Sequence, residues 1–244
     1  MSERDSHDKM RVVERANAVS PLKLAGTAVY IAAWPLLMFV MAGDAHWLEG
    51  WLFTAWYVGL CAAVIVWLYR KDPALLAERY RRPGSGGQKR RDQVVVYAIV
   101  VGFTAWMVVM PLDAHRFGWT PPFPVGATGL GWALLLTSAF LLFRSFRDNT
   151  FLSPLVRIQA ERKHRVVSTG VYGFVRHPMY LGALLMFVGT PLLLGSAVGL
   201  VLAAGMILLL AFRIVGEERV LAEELEGYSE YRKRVPYRLL PFIW

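Results

Sequence analysis

Apolar runs of about 20 residues, separated by short polar stretches, dominate the chain and predict membrane-spanning helices. The first is expected from Leu22 to Met41, with Pro35 as a kink point. The second runs from Trp47 to Tyr69, after the turn Gly43-Asp44-Ala45-His46. Trp47 and Trp51 suit one interfacial aromatic belt, and Trp67 and Tyr69 the other. A third span is expected over Val94 to Leu112 and a fourth, beyond the proline-rich TPPFP loop, over Val125 to Phe143. From Met179 to Ile214 the chain is apolar for 36 residues, interrupted at Gly189-Thr190-Pro191 and Gly195-Ser196, which suits a hairpin of two short spans. The predicted fold is all-α, a polytopic transmembrane bundle of about six spans ending in a helical hairpin.

The polar stretches divide the chain further. Residues 1–20 are polar and of mixed charge, suited to a mobile or surface-lying segment, and they lack the apolar core of a cleavable signal peptide. Residues 21–143 carry four spans with a basic connector at 70–92. In that connector Asp72-Pro73 reads as an N-cap and first helical residue, so ALLAERY is expected to form a short amphipathic helix. The glycine cluster 83–87 that follows lacks the lysine and Ser/Thr of a phosphate loop and reads as a turn. Residues 144–244 hold a long polar segment up to Pro178, the hairpin 179–214, and a charged tail with Gly227 as a helix stop.

Charge fixes an expected orientation. The segment through Lys23, the connector, the stretch 144–178 and the tail from Arg213 hold 5, 8, 7 and 6 of the 27 lysines and arginines, leaving only Arg116 on the other side. Excess positive charge marks the cytoplasmic face, so both termini are expected there. The net charge of +9 has no separate basic domain behind it, which argues for anionic lipid headgroups and against nucleic acid. Cys61, the only cysteine, lies in an apolar run and reads as a small core residue, excluding an intrachain disulfide or a cysteine metal cluster.

Candidate chemistry gathers at that basic face. The stretch 167–182, VSTGVYGFVRHPMYLG, puts Arg176 and His177 ahead of a helix-starting Pro178, with Tyr172 and Tyr180 beside them and Gly170, Gly173 and Gly182 between; Val167 opens it and His164 lies just upstream. Glu217 and Glu218 follow the last span, with Arg213 four or five residues earlier, and the tail adds Tyr228, Tyr231, Arg234 and Pro236. Arg176 and His177 could simply anchor headgroups, and the glutamates could form a solvated helix face. A hairpin brings its two ends together, however, so the arginine–histidine turn and the acidic pair should be neighbours. Arginine clamps a carboxylate, glutamate takes an ammonium or ribose hydroxyls, and tyrosine faces hold adenine or a sulfonium. The chain has no GxGxxG, so such a ligand would sit among helices and loops.

HRVVSTGVYGFVRHPMYLG, the later EE and YSEYRKRVPYRLLPF together resemble the isoprenylcysteine carboxyl methyltransferase family and its phospholipid N-methyltransferase relatives. DPALLAERYRRPG is similar to a connector in bacterial members, which points to a bacterial inner membrane. The resemblance implies S-adenosylmethionine as cofactor, no metal, and cytoplasmic cofactor-binding loops. It assigns His164, Val167, Gly170, Tyr172, Arg176, His177, Pro178, Tyr180, Gly182, Glu217 and Glu218 to cofactor-site positions. Arg176 and Glu218 lead the catalytic candidates, with Arg213 added because the family often has a functional arginine there. The expected partners are membrane lipids and a lipophilic or lipidated acceptor; nothing in the chain specifies an oligomeric state. Sterol reductases, which bind NADPH, have a similar RHPxYxG segment, but they usually carry Asn where this chain has Met179 and an acidic residue where it has Ala183. A transporter or lipid-binding scaffold is a third reading, weakened by the scarcity of ionisable residues within the spans.

Overall fold

The structure, a computed structural model, describes residues 19–85 and 87–244. The segment expected to be mobile or surface-lying, residues 1–20, therefore falls outside the described residues apart from Val19 and Ser20. Among the described residues the chain is helical, without strands. In order come α1 (Pro21–Ala42), α2 (Leu48–Lys71), the short α3 (Pro73–Arg79), α4 (Arg90–Pro111), α5 (Val125–Asp148), α6 (Pro178–Leu194), α7 (Ala197–Glu224) and α8 (Tyr228–Arg234). Five helices are long and apolar enough to cross a membrane; α6 is apolar but shorter.

Local chemistry sets these boundaries. Ser20 accepts from the Lys23 amide ahead of Pro21, and Asp72 accepts from the Leu75 amide at 2.9 Å ahead of Pro73, so both predicted proline-led starts form. In the hairpin the break falls only at Gly195–Ser196, where the Ser196 hydroxyl caps α7 through the Gly199 amide; Pro191 stays inside α6. The limbs are not two short spans, as the sequence suggests. The 28 residues of α7 extend about 42 Å against about 26 Å for the 17 of α6, so α7 overruns its partner by several turns.

The core is a contact between helices filled by Trp106, Met107, Leu135, Phe187, Met206 and Ile214. Indole N–H groups that would otherwise be unpaired in hydrocarbon are satisfied across helices: Trp56 donates to the Leu135 carbonyl and Trp106 to that of Gly199. Leu22, Val101, Val125, Val201 and Leu208 face outward, as a lipid-solvated surface requires.

A polar knot ties the hairpin end of the bundle. Past Pro111, α4 loosens into a π-helical turn, Leu112–Arg116, that carries the fully buried Asp113. Its carboxylate accepts from the Thr120 and Ser196 hydroxyls and the Val198 amide, which offsets its desolvation. Trp47 belongs to this end as well. It is buried and stacks on His115 at 5.0 Å, so it serves packing and leaves the expected belt position to the exposed Trp51.

Candidate functional site

The opposite end of the bundle holds most of the candidate residues. Because α7 overruns α6, Glu217 and Glu218 reach the level of the chain entering α6. His177 is the residue before Pro178, and its extended backbone lets the amides of Arg176 and His177 donate to the carbonyls of Tyr237 and Arg238. The arginine–histidine turn is therefore stitched to the tail before any side chain is considered.

Glu218 closes that junction. One carboxylate oxygen accepts from Arg176 Nε at 2.6 Å and from His177 Nε2 at 3.2 Å, and the other from Arg238 Nε at 2.8 Å. Arg176 Nη1 also donates to the Val235 carbonyl, and Arg176, His177 and Glu218 are all buried. A buried charge set of this kind is tolerable only when its members satisfy one another, and these do.

Glu217 has a different environment. It accepts from the Tyr180 hydroxyl at 2.7 Å and borders a cleft enclosing about 790 Å³, part of it open to solvent. No lysine or arginine among the described residues pairs with it. Tyr172, Tyr228 and Tyr231 line the same cleft. Tyr231 donates to the Tyr172 carbonyl, whereas the buried Tyr228 Oη has no partner. The cleft thus presents a carboxylate without a counter-cation, aromatic faces and an unspent hydroxyl.

Its outer wall is the long loop after α5. Asp148, bonded to Arg144, accepts from the Val171 amide and leaves no space beside Gly170, whose φ is +60°. A Cβ there would collide with that carboxylate as well as strain the backbone. Gly170→Ala should destabilise by about 1–3 kcal/mol, read as a lower melting temperature in detergent; an unchanged melting temperature would contradict this packing.

His164 lines the cleft, stacks on Phe151 at 4.6 Å and accepts at Nδ1 from the Gln159 amide. Burial, reinforced by the charges of Arg162 and Arg157, depresses its pKa from 6.5 to about 4. The unfolded chain thus takes up this proton first on acidification, so stability present above pH 6.5 is lost as pH falls toward 4. Melting temperatures measured across that window should fall less steeply for His164→Phe than for wild type; parallel curves would refute this assignment.

The structure gathers His164, Val167, Tyr172, Arg176, His177, Tyr180 and Glu217 around one cleft. Other candidates stand behind it or apart. Glu218 lies in the buried knot, Pro178 starts α6, and Gly170 faces Asp148. Gly182 is pressed against α5, where a Cβ would come within 2.9 Å of Leu142. Arg213 donates to Asp92 and to the Pro154 carbonyl, bordering a smaller cleft between α4 and α7 that meets the first at Glu217. Sequence reasoning missed Asn149, Ser153 and Arg157 on the wall and Arg238 on Glu218. Only the spacing of Tyr228 and Tyr231 after Gly227 gave any signal for the tail's contribution.

Comparison with known proteins follows the same region. The phospholipid methyltransferase family matches residues 127–226. The chain is 33% identical over 146 residues to protein-S-isoprenylcysteine O-methyltransferase B of Arabidopsis thaliana, covering 59% of this chain and 70% of that protein. It is 32% identical over 118 residues to a methanethiol S-methyltransferase of Crocosphaera subtropica, covering 47% of this chain and 44% of the relative. A Delta(14)-sterol reductase of Mus musculus is 27% identical over 162 residues, covering 61% of this chain and 39% of the reductase. The chain therefore spans less than half the length of the latter two relatives.

Proposed function

Because the chain belongs to the family of membrane methyltransferases that includes the protein-S-isoprenylcysteine and phospholipid methyltransferases, we propose that it transfers a methyl group from S-adenosylmethionine to a lipophilic acceptor at the cytoplasmic membrane face. The observation that carries this reading is Glu217. Its carboxylate faces a cleft ringed by tyrosines without a counter-cation among the described residues, which suits a positively charged ligand. The unpaired Tyr228 hydroxyl and the size of the cleft fit an adenosyl ligand as well.

S-adenosylmethionine, when bound, supplies a methyl group on a sulfonium that leaves as a neutral thioether. The remaining work is placement. Glu217 and Tyr180 hold the cationic part, Tyr172, Tyr228 and Tyr231 supply faces and hydroxyls, and the loop carrying Phe151 and His164 shields one side from water. Arg176, His177 and Glu218 position this wall by locking the tail to α6. The acceptor, an isoprenylcysteine-type carboxylate or a lipid amine, would approach from the apolar spans. A carboxylate acceptor needs no catalytic base, being ionised at neutral pH.

The similarity to a sterol reductase keeps one competing reading in play, an oxidoreductase using NADPH. Glu217 argues against it, since its charge opposes the phosphates of that cofactor. Titration calorimetry on the detergent-purified protein separates the two. S-adenosylmethionine should bind and NADPH should not; the reverse result would overturn the proposal.

A further inference from the structure

The connector helix α3 contains a charged group that the donor site does not use. Each buried arginine elsewhere in this end of the bundle has its own carboxylate: Arg157 has Glu78 and Glu161, Arg176 has Glu218, and Arg213 has Asp92. Arg79 differs. Its Nη1 is fully enclosed yet has no hydrogen-bond partner, although the residue as a whole keeps some exposure. The adjacent Glu78 cannot serve it, because that carboxylate is taken by Arg81, Arg157 and the Ser153 hydroxyl.

The surroundings of Arg79 keep its charge in place without neutralising it. The guanidinium lies over the Phe146 ring at 5.1 Å, which fixes its plane. Burial, together with the nearby Arg213 charge, lowers its pKa to about 10, so it remains a cation at neutral pH. Tyr180, the cleft residue bonded to Glu217, lies within electrostatic reach. Leu75 and Leu76 of the same helix pack with Leu68 and Leu152, placing Arg79 between the apolar spans and the cleft wall. An enclosed, oriented cation with an unused donor in such a place calls for an anion from outside the chain.

Resting on the methyltransferase reading, we propose that Arg79 anchors the carboxylate of the acceptor as it enters the cleft from the membrane side. The planar guanidinium can hold one carboxylate oxygen and leave the other free to attack. A lone pair of that second oxygen forms the new O–CH₃ bond while the C–S electron pair stays on sulfur, giving a neutral ester and a neutral thioether. The ester has lost the charge that Arg79 holds, so the anchor favours acceptor over product.

The same carboxylate chemistry could also come from the methionyl part of the donor, and binding measurements distinguish the two sources. Radiolabelled dodecanoate and dodecanol are bound to the full chain in the presence of S-adenosylhomocysteine, whose own affinity is measured by calorimetry. Wild type should prefer dodecanoate by about tenfold or more, Arg79→Gln should lose that preference, Arg79→Lys should keep part of it, and S-adenosylhomocysteine affinity should stay unchanged throughout. A preference that survives in Arg79→Gln overturns the proposal. A loss of S-adenosylhomocysteine affinity in a folded Arg79→Gln also overturns it, by assigning the arginine to the donor. Should Arg79→Gln fail to fold, Arg79→Met takes its place. Failure of wild type to bind S-adenosylhomocysteine would instead defeat the methyltransferase reading, whereas normal binding without a dodecanoate preference defeats this inference alone.

Discussion

Glu218→Ala is expected to lower the melting temperature on the order of 10 °C in detergent and to abolish donor binding as a consequence. The carboxylate gathers Arg176, His177 and Arg238, and its removal leaves the buried Arg176 guanidinium with only the Val235 carbonyl. Stranding a buried charge costs about 3–5 kcal/mol. The loss falls on the junction between α6, α7 and the tail, because Arg238 is also the residue whose carbonyl receives the His177 amide. Glu218→Gln keeps the shape and an acceptor for Arg238, so it should be milder. A Glu218→Ala protein with wild-type melting would show that the knot does not hold the tail.

Glu217→Gln should behave in the opposite way, with melting nearly unchanged and the affinity for S-adenosylmethionine reduced about 10–100-fold in titration calorimetry. This side chain makes one internal hydrogen bond, from Tyr180, which glutamine can still accept. What the substitution removes is the charge facing the cleft. Adjacent glutamates on one helix thus divide the work, one holding the structure and one facing the ligand. Equal affinity in Glu217→Gln would mean that the carboxylate does not meet the cationic donor.

Much of this arrangement was legible in the chain. Uninterrupted apolar runs announce the helices, and the proline-led starts at Pro21, Pro73 and Pro178 place three of their beginnings to the residue. The neighbourhood of Arg176–His177 with Glu217–Glu218 follows from hairpin geometry alone. What could not be read is which of two consecutive glutamates turns inward. That depends on Arg238, a tail residue without periodic signature, folding back onto α7. The hairpin's unequal limbs were hidden for a similar reason. Hydropathy falls after Ile214 although the helix continues to Glu224, because polar residues stabilised by tertiary contacts carry it on. The loop 149–157 lacks periodicity altogether, and its place on the cleft wall is set by distant partners such as Glu78 and Arg213.

The central claim is that the cleft beside Glu217 holds the methyl donor. A structure determined with S-adenosylhomocysteine bound tests it most directly. The ligand should lie between Glu217, Tyr172 and Tyr228, against the loop that carries Phe151 and His164. Ligand density anywhere else in the protein, with this cleft holding only water, would contradict the account.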